Sequence, residues 1–188
     1  MKTAIKLLFV LLMLGVLVIA WPALNLYDEL DKARSDDPLV WEEDIQALEQ
    51  ATAGLYGPVE AVVFVGSSSI RLWQSLAEDM APIPVIQHGF GGAKMNDVVH
   101  YAERLVVNSA PRAVVVFVGT NDIHPGAVKS PEILLQGYQQ FVEIARAVQP
   151  ALPIYYIAIT PSLMRWEVWD VAQQTNELIA QWSATQQG

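Results

Sequence analysis

Three short polar turns hold the residues of this sequence that could do chemistry: Gly66-Ser67-Ser68-Ser69, Gly89-Phe90-Gly91-Gly92-Ala93 and Gly119-Thr120-Asn121-Asp122. In the first, an apolar run stops at a glycine, three serines follow, and a helix-like pattern begins. A serine at a strand-to-helix turn is held by backbone on both sides, and the adjoining helix amides favour developing negative charge. That suits a nucleophile. It also suits a helix cap, for which serine is a preferred residue. A phosphate-cradling loop is disfavoured, because the Gly-Lys-Ser/Thr ending is missing. The second turn has two readings: glycines that let a backbone amide approach a ligand, or a tight turn. It lacks the spacing of a dinucleotide fingerprint and follows the second strand rather than the first. In the third turn the Asn121 side chain has an NH₂ to offer an oxyanion, and Asp122 is placed to cap or brace the loop. A simple polar turn is the alternative there.

The surrounding pattern says what must position these turns. Apolar residues recur at helical spacing at Trp41, Ile45, Leu48 and Leu55. From residue 60 onward, buried-strand runs alternate with amphipathic helices. Strands are expected at Glu60–Gly66, Pro84–Gly89, Arg112–Gly119 and Leu152–Ile159. Helices are expected over Ser69–Asp79 and Ala93–Ser109, the latter with Met95, Val98, Val99, Ala102, Leu105 and Val106 on one face. Two more are marked by Leu134, Tyr138, Phe141 and Ala145, and by Val168, Ala172, Ile179 and Trp182. Continuous apolar strands alternating with helices predict an α/β fold: a parallel sheet covered on both sides. Ligands of such sheets bind beyond the carboxyl ends of the strands. All three turns fall there, so they are expected to form one site.

The 188 residues suffice for one such domain, and their mean hydropathy of +0.29 is high for a soluble protein. The excess sits at the start. Leu7–Leu24 is 18 residues without a charge, about the minimum for a membrane span. Trp21 and Pro22 interrupt any clean small-x-small cleavage site, which favours an uncleaved anchor over a signal peptide removed on secretion. Lys2 and Lys6 precede the span, so the remainder is expected on the far side of the cytoplasmic membrane. Residues 1–24 are thus read as an anchor, 25–38 as a polar, acidic linker and 39–188 as the domain. Cysteine is absent, which excludes disulfides, thiolate metal sites and a cysteine nucleophile. Without Lys2 and Lys6 the chain has nine Lys+Arg against twenty Asp+Glu. With no basic run, nucleic acid is not an expected partner.

Together the three turns resemble the SGNH (GDSL-type) hydrolase family. VFVGSSSIRLW looks like its first block, where Gly-Asp-Ser carries the nucleophile. Aligned on Gly66, Ser67 stands in place of Asp, and Ser68 matches the nucleophile. QHGFGGAKMNDVV resembles the second block, in which a glycine amide serves the oxyanion hole; Gly92 matches it, with Gly89 as the other register. VGTNDI resembles the third block, and Asn121 matches the oxyanion-hole asparagine. IYYIAITPSLMRW is similar to members related to the platelet-activating-factor acetylhydrolase subunits. The resemblance runs from about Trp41 to the end of the sequence. It implies a three-layer α/β/α, flavodoxin-like fold and a serine esterase that works through an acyl-enzyme. Its substrate would be a small-molecule, carbohydrate or lipid ester, and no metal or organic cofactor is implied.

The family pattern ends with a strand, an Asp-x-x-His block and a helix. That block supplies the general base and its orienting acid. Here His88, His100 and His124 are the only histidines, and all lie upstream of its place; His88 stands where an arginine is common. The expectation is a domain lacking its last strand and helix, roughly 30–40 residues at ordinary element lengths. A reading from another class stays open beside it: a catalytically inactive, membrane-tethered ligand-binding domain of the same fold.

Overall fold

The structure, a computed structural model, describes residues 27–55 and 60–186 together with positions 6, 13 and 15. A four-stranded parallel sheet is its centre. β1 (Val62–Gly66) pairs on one side with β2 (Val85–Gly89) and on the other with β3 (Ala113–Phe117). A short β6 (Ile154–Tyr156) pairs with β3, giving the order β2-β1-β3-β6. Between them, β4 (Ile123–His124) and β5 (Ala127–Val128) form a small antiparallel hairpin.

Strand alternation divides the sheet residues between two apolar clusters. Val63, Val65, Ile86, Val114 and Val116 face the larger one. Against them pack α1 (Glu42–Thr52), α4 (Met95–His100), α5 (Ala102–Leu105), α6 (Pro131–Ala145) and α7 (Trp169–Ser183), through residues such as Ile45, Val98, Leu105, Phe141 and Ile179. Val62, Phe64, Val85, Ala113 and Phe117 face the other side, under Ile70 of α2 (Ser68–Arg71) and Leu76 of α3 (Leu76–Asp79). Each fully buried aliphatic side chain contributes roughly 1.5–3 kcal/mol. Valines buried on both faces of β1 therefore hold it in the core from which the first turn leaves.

Two expected helices are broken, each for a visible reason. The helix expected over Ser69–Asp79 is α2 and α3, separated at residues 72–75. The Gln87 side-chain amide takes the carbonyls of Ile70 (2.5 Å) and Trp73 (3.1 Å), which a continuous helix would have used. Trp73 packs edge-on against Phe64, and its indole N–H donates to Asp79 at 2.6 Å. The helix expected over Ala93–Ser109 breaks at Tyr101, which is buried against Phe90 and donates its hydroxyl to the Pro38 carbonyl at 3.0 Å. It ends in a 3₁₀ turn, Val107–Ser109. Residues 27–34, within the stretch read as a linker, are helical. Among the described residues no helix is long and apolar enough to cross a membrane; the expected anchor, Leu7–Leu24, lies almost wholly outside them.

Candidate active site

The first turn is set by an unusually close approach of β1 and β3. Gly66 has φ +149°, and a Cβ there would overlap the Phe117 carbonyl. Only glycine lets the strands meet so closely at this backbone conformation. The chain then turns, and the Ser67 amide donates to that same carbonyl at 3.0 Å. Ser67 is buried, and its own carbonyl accepts the amides of Ile70 (3.0 Å) and Arg71 (3.2 Å). Ser68 is the first residue of α2 and half-buried, while Ser69 is exposed. The three serines are thus not equivalent. Ser67 is committed to the turn, and Ser68 combines partial burial with a place among amides that have no partner within the helix.

The second turn leaves β2 at the level where Gly89 pairs with Gly66, and the Phe90 amide donates to the Gly66 carbonyl at 3.0 Å. Trp41, 1% exposed, packs edge-on against Phe90 at 5.7 Å and holds the turn from below. Gly92 is half-buried and lies against Ala33.

The third turn is tied to the second. The Asn121 Nδ2 donates to the Ala93 carbonyl at 3.0 Å, one residue past Gly92. That uses one of the two amide protons and leaves the other for a ligand. On the other side of the same amide, Arg165 Nη2 lies 3.4 Å from Asn121 Oδ1. Asp122 is the brace. Its Oδ2 accepts the Met95 amide at 2.9 Å and its Oδ1 accepts Lys129 Nζ at 2.8 Å. The Lys129 amide returns to the Asp122 carbonyl at 3.0 Å, closing the β4–β5 hairpin over the turn. Burial pushes the Asp122 carboxyl above the usual carboxylate range, against the pull of Lys129. Asp97 accepts the Lys94 amide at 2.8 Å, and burial raises its pKa from 3.8 to about 6. Asn121, Asp122, Lys94 and Lys129 line a cavity of about 440 Å³ together with Arg34, Asp36, His124 and Val128.

The histidines occupy three different places. His88 is buried; its Nδ1 faces the Leu105 carbonyl at 2.7 Å, and its Nε2 the Thr52 hydroxyl at 2.9 Å. Desolvation holds its pKa below the ordinary value, and both ring nitrogens are already engaged. His100 is exposed and stacks edge-on against Tyr101. His124, also exposed, lies on the hairpin and shares the cavity with Asn121.

The sequence profile of the GDSL-like lipase/acylhydrolase family matches residues 51–188, the whole stretch that carries the three turns. The chain belongs to this family. A GDSL-like lipase from Bacteroides thetaiotaomicron has the same fold, at TM-score 0.60 and 22% identity over 74% of this chain and 71% of its own. A carbohydrate esterase of family 3 from Talaromyces cellulolyticus superposes at TM-score 0.53 and 18% identity, over 68% and 74% of the two chains. A Streptococcus pneumonia protein provisionally assigned as a platelet activating factor does so at 0.57 and 17%, over 89% and 73%. Among curated protein sequences none matches. These likenesses show the α/β fold with its parallel sheet, and the family is one of ester hydrolases.

Some residues around these three turns were not legible as such. Asp97 accepts the amide of the N-cap residue, but that residue is Lys94 rather than the Ser or Thr that would mark a capping box in sequence. Arg165 had no signal, reaching the third turn from 44 residues away, and Lys129, 7 residues past Asp122, lies in no motif. Trp73, half-buried, packs against the smaller apolar cluster, and Trp166 is exposed.

Proposed function

We propose that the chain is a serine esterase in which Ser68 attacks the ester carbonyl. The amides of Ser68 and Gly92 and the Nδ2 of Asn121 bind the oxyanion. The Ser68 proton passes to a general base and on to the leaving alcohol. Water then attacks the acyl-enzyme and releases the acid. The resemblance assigns the base to an Asp-x-x-His block after the last strand; of the three histidines only His100 follows an aspartate at that spacing, Asp97, and it lies exposed on α4, upstream of the block's place.

The observation that carries this reading is the hydrogen bond from Asn121 to the Ala93 carbonyl. It supports Asn121 as the one side-chain donor of the set, since Ala93 follows Gly92 in the second turn and Ser68 follows β1 at the same, carboxyl end of the sheet. A donor placed before reaction is what stabilises a developing oxyanion most.

The test is labelling of the protein by a fluorophosphonate, with hydrolysis of p-nitrophenyl acetate measured in parallel. Both are expected in the parent and neither in Ser68→Ala. Equal hydrolysis by the two proteins would falsify the assignment of Ser68. Ester binding without labelling or turnover in the parent would turn the reading to an inactive ligand-binding domain.

The apolar stretch Leu7–Leu24, with Lys2 and Lys6 before it, supports a single-pass anchor that places the esterase outside the cytoplasmic membrane. In intact cells the domain is then expected to be open to externally added protease only after the outer barrier is permeabilised, and to stay with membranes in alkaline carbonate. Release by carbonate would reject the anchor.

A further inference from the structure

Residues 27–36 read from sequence as part of a spacer, yet they reach the second and third turns and the helix that follows the first. At the end of that helix, Arg71 grips Glu29 with both guanidinium nitrogens, Nη1 to Oε1 at 2.6 Å and Nη2 to Oε2 at 3.0 Å. At the second, the Ala33 methyl fills the space that a Cβ on Gly92 would need. Lys94 Nζ donates to the carbonyls of Ser35 (2.8 Å) and Arg34 (3.4 Å) and to Asp36 Oδ1 (2.9 Å). The Asn96 side-chain amide donates to the Asp36 carbonyl at 3.0 Å. At the third, Arg34 and Asp36 line the cavity that contains Asn121.

This is more fastening than a spacer needs. The Lys94 side chain is only 7% exposed. An ammonium so far from water must have partners for its three protons. Its acceptors lie in residues 34–36, so the second turn is built to receive this segment. The segment in turn flanks both groups proposed to hold the oxyanion apart from Ser68: Ala33 touches Gly92, and residues 34 and 36 share a cavity with Asn121.

We propose that residues 27–36 form a wall of the ester site and limit the size of the acyl group it accepts. Ala33 sets the limit at Gly92, and the Glu29–Arg71 pair holds Ala33 in place. The proposal rests on the esterase reading above. It makes short acyl esters the preferred class, because an acyl chain running over Gly92 meets the Ala33 methyl.

The experiment compares kcat/KM for p-nitrophenyl acetate and p-nitrophenyl butyrate in the parent, Ala33→Gly and Glu29→Gln. Amide hydrogen exchange of residues 27–36 is followed in the same proteins. The parent is expected to prefer acetate and to protect residues 27–36 from exchange. Glu29→Gln removes one charge of the pair at constant volume and is expected to reduce that protection. In both variants the butyrate-to-acetate ratio is expected to rise by about tenfold, the lower end of what one methylene is worth in a hydrophobic pocket. Unprotected 27–36 amides in the parent would overturn the docking. A ratio that moves less than about twofold in Ala33→Gly would overturn the size limit, being below that same range. A parent no more active than Ser68→Ala on either ester would remove the esterase reading and the size limit with it. An active parent with unchanged selectivity would remove the size limit alone.

Discussion

Asp97→Asn is expected to remove one contribution to stability that falls as pH rises from about 4 to 6. The Asp97 carboxyl is 1% exposed. Its Oδ2 accepts the Lys94 amide at 2.8 Å, and its Oδ1 the Asn96 side-chain amide at 3.2 Å. Burial is the largest influence on it and raises its pKa from 3.8 to about 6. The Asp122 carboxylate pushes the same way, while the Lys94 amide and the ammonium groups of Lys94 and Lys129 pull back. A carboxyl raised on folding binds its proton more tightly in the folded state, so its contribution is fully present below the unfolded pKa. That contribution is lost as pH rises through the folded pKa. A shift of about two units corresponds to about 3 kcal/mol. Asparagine keeps the shape and one acceptor for the Lys94 amide but does not titrate. The assay is urea unfolding, followed by fluorescence of the six tryptophans, of parent and variant from pH 4 to 7.5. Other carboxylates are common to both proteins and cancel in the difference. That difference is expected to favour the variant increasingly, by about 3 kcal/mol over the window. A flat difference curve would refute the claim that Asp97 is held desolvated.

Four further substitutions test the site. Asn121→Ala is expected to lower kcat for ester hydrolysis by about 10²–10³, the usual loss for one oxyanion donor; a loss below about fivefold would argue against its role. Arg165→Ala is expected to lower kcat by about tenfold, matching a charge-assisted hydrogen bond of about 1.5 kcal/mol, in the parent but not in Asn121→Ala. Equal effects in both backgrounds would mean that Arg165 acts on something other than Asn121. Gly66→Ala is expected to destabilise by at least about 1–3 kcal/mol for its backbone conformation alone, read by thermal unfolding, and to reduce fluorophosphonate labelling of Ser68. Unchanged labelling would separate the position of Ser68 from the Gly66–Phe117 contact. Lys129→Met leaves the buried Asp122 without its cation. A loss of about 1.5–3 kcal/mol at pH 7 is expected, and unchanged stability would show that the Met95 amide alone holds Asp122.

The strands and the order of the turns were legible because one periodicity governs them. Residues such as Val63, Val65, Val114 and Val116 leave no reading except a buried parallel sheet, and the turns follow where the apolar runs stop. Helix continuity was less legible. Val98, Val99 and Leu105 keep helical spacing across Tyr101, so periodicity could not register a break caused by a ring docking on Phe90. Nor could it foresee that Gln87, on a neighbouring strand, takes the carbonyls that end α2. The site divides in the same way. Ser68, Gly92 and Asn121 stand out because each lies in a short motif. Arg165 and Lys129 act on the third turn across sequence separations of 44 and 7 residues, and Ala33 meets Gly92 from a segment whose composition reads as a polar linker. Composition cannot separate a solvated acidic stretch from one whose carbonyls satisfy a buried lysine.

Beneath the second and third turns lie two buried carboxylates, and the stability ledger alone gives no reason for them. Burial holds the Asp97 carboxyl above its ordinary pKa, so its ionised form at neutral pH carries a cost that a neutral side chain would not. What the carboxylates supply is connection. Asp122 joins the third turn to the first turn of α4 through the Met95 amide, and to the hairpin through Lys129. Asp97 fixes the Lys94 amide, next to the carbonyl of Ala93 that receives Asn121. Each link removes a freedom that a polar loop at a sheet edge would otherwise keep. An oxyanion donor stabilises charge in proportion to how little it must reorganise when the charge appears. In the esterase reading, the carboxylates therefore act through the loops rather than on the substrate, and the stability given up at Asp97 is the counterpart of an Asn121 amide already in position. The two readouts are separable. If this account holds, Asp97→Asn gains stability at pH 7 while kcat falls or stays level; a variant that is both more stable and faster would show that the carboxylate serves neither end.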